Sequence, residues 1–232
     1  MSENIENKQE VSKSRMAEIQ CKNIKKVKRM IIAKMGGSVI QKWRELVDIF
    51  LEVNSTVHKK ILLIPGGGKI ADLVRKMQVD DENAHWMAIA AMEINGSYLA
   101  SLGANSLKPE SFDELKPKGV DVLLPYTLLR KNDELPHSWD VTSDSIAIWV
   151  AGKLKAKKVM KITDVDGIFK DDKLVEEINV KDLNFESCMD AYSPYLIQQF
   201  NLDVFVCNGL YPERVKDYIL RERALGTLIK GR

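Results

Sequence analysis

The sequence predicts an α/β fold, a three-layer α/β/α sandwich on a largely parallel central sheet. Short apolar runs of strand length alternate with segments whose apolar residues recur every three to four positions. The first two runs end in glycine turns, Lys34-Met35-Gly36-Gly37-Ser38 and Pro65-Gly66-Gly67-Gly68-Lys69, that lead into helical segments. No repeat or long linker divides the 232 residues, which are enough for a sizeable core.

Residues 1–29 are rich in Lys, Glu, Asn and Ser, and are expected to form a flexible extension whose basic segment Lys22–Arg29 could dock on a neighbour. The folded domain is expected over residues 30–232. It opens with the strand Met30–Ala33, after which Gly36 and Gly37 permit close approach of an anion and Lys34 supplies charge. An ordinary strand-to-helix turn would use the same residues. Trp43, Leu46, Val47, Phe50 and Leu51 then stripe a helix expected to end at Asn54.

The second strand, Lys60–Ile64, meets three glycines, Gly66–Gly68, whose amides suit an anion-binding nest at the start of a helix over Ile70–Met77. This is no P-loop, because the spacing G-x-x-x-x-G-K-[ST] is absent. Ala84–Leu102 is apolar on most faces, as in a helix buried in a core or a subunit interface, so a homo-oligomer is expected. His85, near its start, either lines a cleft or packs. Gly119–Pro125 is a further strand. The polar loop Lys131–Trp139, with Asp133, Glu134 and His137, is either one wall of a substrate pocket or solvated surface.

Asp140–Phe169 organises the chain. Thr142 and Ser143 are good N-cap residues, which puts Asp144 in the first helical turn. Ile146, Ala147, Val150, Ala151 and Leu154 form the core stripe, and the strand Val159–Ile162 ends at Thr163-Asp164-Val165-Asp166-Gly167. Lys161 breaks the apolar rule of that strand: either it snorkels to an open face, or it carries its charge to a phosphate at the carboxyl end of the sheet. Beyond it, Asp171-Asp172 signals a hairpin and Cys188–Phe200 a helix despite Pro194. Asp203–Cys207 is a strand, Pro212 starts a helix to about Arg223, and Gly226–Ile229 closes the fold.

A net charge of +2 offers no electrostatic argument for nucleic acid or membrane partners. The three cysteines have neither metal nor redox spacing and suggest reduced thiols. No apolar run approaches the about twenty residues that span a bilayer. A soluble, cytoplasmic protein is expected.

Several motifs together carry a resemblance: K-x-G-G-S at Lys34–Ser38, Gly66–Gly68, D-x-x-x-D at Asp140–Asp144, T-D-x-D-G at Thr163–Gly167, Asn208-Gly209 and the terminal G-T-L-I. In this order, over about residues 30 to 230, the chain resembles the amino acid kinase superfamily, with its carbamate kinase-like fold. The segments His85–Ala100, Trp139–Ser145 and Asn208–Arg214 are most similar to the branch that adds a second phosphate to a phosphorylated aminomethylfuran alcohol in methanofuran biosynthesis. The resemblance also leaves room for a nucleoside monophosphate or isoprenoid phosphate kinase, or a non-catalytic nucleotide- or oxyanion-binding member.

The resemblance implies ATP and Mg2+ as cofactors and a small-molecule phosphate as acceptor. It implies catalytic roles for Lys34 and for Asp144, the aspartate that orients lysines. Gly36, Gly37, Ser38, Gly67, Gly68, Thr163, Asp164, Asp166, Gly167 and Phe169 would hold ATP and its phosphates, and Gly66, Gly67, His85, Asp140 and Ser143 the acceptor. No protein metal ligand is implied. Many relatives carry a second catalytic lysine in a G-M-x-x-K helix, but here that region reads Cys188-Met189-Asp190-Ala191-Tyr192. Lys161 is the candidate replacement. Asp140 stands where relatives acting on acylated amino acids have asparagine; it would pair with an acceptor ammonium, or only cap its helix.

Overall fold

The computed structural model describes residues 30–232; the extension expected over 1–29, with its docking segment and Cys21, lies outside the described residues. Ten strands are described: β1 (Met30–Met35), β2 (Lys60–Pro65), β3 (Asn105–Leu107), β4 (Val120–Leu123), β5 (Lys158–Thr163), β6 (Ile168–Lys170), β7 (Lys173–Val175), β8 (Glu177–Asn179), β9 (Asp203–Asn208) and β10 (Thr227–Lys230). The helices are α1 (Trp43–Val57), α2 (Gly68–Lys76), α3 (Asp81–Ser101), α4 (Tyr126–Lys131), α5 (Ser143–Lys153), α6 (Ser193–Phe200) and α7 (Pro212–Arg221).

Eight strands form the central sheet in the order β3-β4-β2-β1-β5-β9-β10-β8, and β6 and β7 form a separate hairpin. Strands β3 to β9 of that sheet are parallel and β10 runs antiparallel to β9, so the sheet is largely parallel. The chain builds outwards from β1 through β2 on one side, then returns to place β5 on the other. The gap between the carboxyl ends of β1 and β5 is therefore a topological switch point, where open α/β sheets bind ligands.

Alternation along the strands assigns the two faces. Ile32, Leu62, Ile64, Val159, Val204 and Val206 pack with α5 and α6 in one core; Ala33, Ile61, Leu63, Met160, Phe205 and Cys207 pack with α1 and α7 in the other. Lys34 and Lys161 share the parity of Ile32 and Val159 and are register partners on adjacent strands. Both lysines must therefore rise towards α5. That helix is buried on every face from Asp144 to Ala151. Ile146, Ile148, Trp149 and Val150 are each at most 2% exposed, and about 1.5–3 kcal/mol per side chain holds the helix in place.

Several expected boundaries move. β1 extends to Met35, so Lys34 is a strand residue. α1 passes Asn54 and ends at His58, whose φ of +50° closes it, while Asn54 Nδ2 donates to the Lys59 carbonyl. α2 starts at Gly68, two residues early, and α3 starts at Asp81, where Asp80 accepts from the Asn83 amide. The helix expected over Cys188–Phe200 begins only at Ser193: Asp190 draws the preceding segment into a non-helical turn, and Pro194 suits a first turn. The short β3, β8 and α4 escaped notice because three to six residues hold too little periodicity. The hairpin at Asp171-Asp172 forms as expected, with both residues left-handed at φ +50° and +59°.

Candidate active site

The site grows from the strand ends. Gly36 follows β1 and its amide donates to the Ile162 carbonyl; Gly66 follows β2 and donates to the Met35 carbonyl, each at 2.8 Å. These two amides are spent on holding the turns against the sheet. The amides of Gly37, Gly67 and Gly68 meet no carbonyl among the described residues. A Cβ on Gly37 would lie 2.3 Å from Gly68 Cα, and Gly68 has φ +53°, so the two turns touch only because both are glycine. Asn95 of α3, buried, clamps them by donating from Nδ2 to the Gly66 carbonyl at 2.6 Å. An amide in so apolar a helix was the signal for that role.

Above the turns stands a buried charge triad. Asp144 Oδ1 lies 2.8 Å from Lys34 Nζ, an ion pair whose angle falls outside hydrogen-bond geometry. Its Oδ2 accepts from Lys161 Nζ, which also donates to the Cys188 carbonyl. Burial alone would raise the Asp144 pKa, but Lys34 and Lys161 hold it at about 2. Burial alone would lower that of Lys161, but the facing carboxylate reverses this and raises it. The snorkelling alternative for Lys161 is thereby excluded: only 4% of its side chain is exposed. Two ammonium groups against one carboxylate leave the triad one net positive charge.

Thr142 caps no helix amide with its side chain. Its amide and hydroxyl both donate to Asp190, as do the amides and hydroxyls of Ser145 and Ser193. Six donors on one carboxylate bind the non-helical segment around Cys188 to the start of α5, which delivers the Cys188 carbonyl to Lys161. Sequence reading missed Asp190; a carboxylate flanked by Ser187 and Ser193 was its faint signal.

On one side of the triad lies the Thr163–Gly167 loop. Thr163 is buried, Asp164 is exposed, and Asp166 accepts from Asn208 Nδ2 at 2.9 Å and Arg214 Nη1 at 2.6 Å. Asp166 is thus a tie to the segment after β9. Phe169 is half exposed on the β6–β7 hairpin beyond, and Ser38 is exposed after the first glycine turn.

On the other side is a cleft of about 180 Å³ lined by Gly67, Gly68, His85, Ser143, Met92 and Ile146, with Asp72, Arg75, Asp81 and Trp139 at its walls. Arg75 stacks over Trp139, 4.3 Å from the ring centre. Ser138 and Trp139 line the cleft, so the 131–139 loop is a wall. His85 is buried there, and its desolvation pushes its pKa down to about 4, which keeps it neutral. Asp140 is placed elsewhere: it is exposed, it does not line the cleft, and its carbonyl accepts from the Tyr192 amide. The carboxylates that do reach the cleft, Asp72 and Asp81, had no sequence signal beyond surface polarity on a helix.

These features converge on one class. The model of the amino acid kinase family matches residues 29–187, and the chain belongs to that family. It is an ATP-dependent phosphotransferase of the superfamily. The chain is 34% identical over 212 residues to a [5-(aminomethyl)furan-3-yl]methyl phosphate kinase of Methanocaldococcus jannaschii, covering 87% of this chain and 98% of that one. It is 26% identical to an acetylglutamate kinase of Bacillus subtilis, over 75% of this chain and 84% of the other. Among solved structures, the uridylate kinase of Archaeoglobus fulgidus superposes with a TM-score of 0.68 at 21% identity, covering 86% and 99% of the two chains. The UMP kinase of Bacillus anthracis superposes with a TM-score of 0.70 at 16% identity, covering 88% and 96%.

Proposed function

We propose that the chain transfers the terminal phosphoryl group of ATP to the phosphate of a small phosphomonoester carrying an amine, [5-(aminomethyl)furan-3-yl]methyl phosphate, in methanofuran biosynthesis. The observation that carries the reading is the buried Lys34–Asp144–Lys161 triad at the switch point, between a nucleotide-type loop and a cleft bearing both a guanidinium and carboxylates. The likeness to the Methanocaldococcus jannaschii kinase supports this acceptor.

An oxygen of the acceptor phosphate attacks the γ-phosphorus. As that P–O bond forms, the bond to ADP breaks and its electron pair leaves with ADP. Charge on the transferring group is met by the net positive triad and by the amides of Gly37, Gly67 and Gly68, which need no reorganisation. Lys161 stands in for the absent G-M-x-x-K lysine; Asp144 keeps it charged and aims both it and Lys34. Mg2+ would bind the nucleotide's own phosphates and neutralise part of their charge, since Asp144 is taken up by lysines and Asp166 by Asn208 and Arg214. In the cleft, Arg75 suits the acceptor phosphate, and Asp72 or Asp81, rather than Asp140, its ammonium. The protein is cytoplasmic in this reading, and no helix among the described residues is long and apolar enough to cross a membrane. Ile94 and Tyr98, exposed on α3, would lie in a homo-oligomer contact.

The test is ADP production with ATP and Mg2+ against a panel of the furan phosphate, uridine monophosphate, isopentenyl phosphate and acetylglutamate. Turnover with the furan phosphate alone is the expected outcome. Turnover with another acceptor moves the substrate assignment, and silence across the panel with ATP still bound replaces catalysis by nucleotide binding.

A further inference from the structure

The chain has three histidines, His58, His85 and His137. Two of them, far apart in sequence, meet beside the cleft that His85 lines: His85 from α3 and His137 from the 131–139 loop, with ring centres 4.1 Å apart and planes 20° from parallel. Asp133, on the same loop, places Oδ1 2.8 Å from His137 Nε2. One ligand atom from each of His85, His137 and Asp133 can be chosen so that all three lie within 4.8 Å of one another. His137 Nδ1 meets Glu82 Oε2, and Glu82 Oε1 in turn accepts from Trp86 Nε1 at 2.7 Å.

A solvated surface does not require this arrangement. An imidazole whose Nδ1 is held by a carboxylate presents Nε2 in a fixed direction, which is the outer support that metal-binding histidines use. The carboxylate is itself oriented by an indole, and Arg130 lies 4.0 Å over that indole. His85 is buried as a residue and makes no side-chain hydrogen bond among the described residues, yet its ring nitrogens are not enclosed, so one is open to a ligand. We propose that His85, His137 and Asp133 are the three protein ligands of a divalent transition-metal site of the zinc type, with Glu82 as its outer support.

Two imidazoles and one carboxylate favour Zn2+, or Co2+ and Ni2+, over Mg2+, which prefers oxygen. With bonds of about 2.0–2.2 Å, a tetrahedral ion draws its ligand atoms to about 3.4 Å apart, so the His85 ring tilts out of its stack as the ion binds. Three protein ligands leave a fourth position open. The ion would pin the 131–139 loop to α3, and with it Ser138 and Trp139, which line the cleft. The site is separate from the Mg2+ of the nucleotide and does not depend on which acceptor is used.

The experiment is calorimetric titration of the chelator-stripped full chain with Zn2+ in excess Mg2+. One ion per chain is expected, with affinity lowered at least about 100-fold in His137→Ala and about 10–100-fold in Glu82→Ala. In the wild-type protein, imidazole NMR signals of two of the three histidines should shift together on adding Zn2+, a reading that needs no variant to fold. Absence of stoichiometric binding overturns the proposal. So does binding that persists in a His85→Ala/His137→Ala double variant, or Zn2+ shifts that leave these two rings unmoved.

Discussion

The lysine–carboxylate end of the site and the cleft beside it differ in burial, in charge balance and in the elements that carry them. Lys34, Asp144 and Lys161 are each under a tenth exposed and sit on two adjacent central strands and a helix buried on all sides. Each charge there is held by another, and the two lysines share a single carboxylate. Asp72, Arg75 and Asp81 are exposed, on helices at the rim, and share their wall with a loop. Desolvation is the physical reason: an uncompensated charge is costly in the interior and nearly free at the rim. Under the proposed function, substitutions at the rim would change the acceptor and leave the buried triad intact.

The largest effect is expected from Asp144→Ala, which leaves two buried ammonium groups unbalanced. Turnover is expected to fall at least about 1,000-fold, and urea unfolding should report a loss of about 3–5 kcal/mol. Lys161→Met keeps Asp144 paired with Lys34, so the fold survives while kcat drops about 100- to 1,000-fold with little change in KM for ATP. Wild-type turnover in that variant would remove Lys161 from the mechanism.

Acid acts on the buried end through Asp144. The Asp144 pKa is about 2 in the fold, below its ordinary 3.8, so its contribution is fully present above pH 4. It is lost as pH falls through about 2, on the order of 2 kcal/mol. Asp144→Asn should flatten that part of the stability profile, measured by denaturant melts from pH 5 to 2.

Effects at the rim are smaller. Asp72→Asn or Asp81→Asn is expected to raise KM for an amine-bearing acceptor about tenfold, with KM for ATP unchanged. Asp140→Asn should change neither. A raised acceptor KM in Asp140→Asn alone would return that carboxylate to the acceptor site.

The unequal legibility of the two ends follows from the same physics. Lys34 was visible beside its glycines, and Lys161 stood out because a lysine in an apolar strand violates a strong rule. Asp144 was visible at a helix start. Rim residues break no rule: Asp72 and Arg75 look like any polar helix face, and Asp140 looked as good as either. Asp190 was hidden for another reason, since its six donors come from segments up to 48 residues away.

The alternation of strands and helices and the glycine turns at the strand ends are legible in the sequence, because they rest on local sterics and on burial along one segment. Folding alone sets Lys34 and Lys161 side by side in register, bridges them with one carboxylate, keeps Cys188–Tyr192 out of a helix and brings two distant histidines together. Those facts depend on strand order and on contacts between remote segments, which no local pattern encodes.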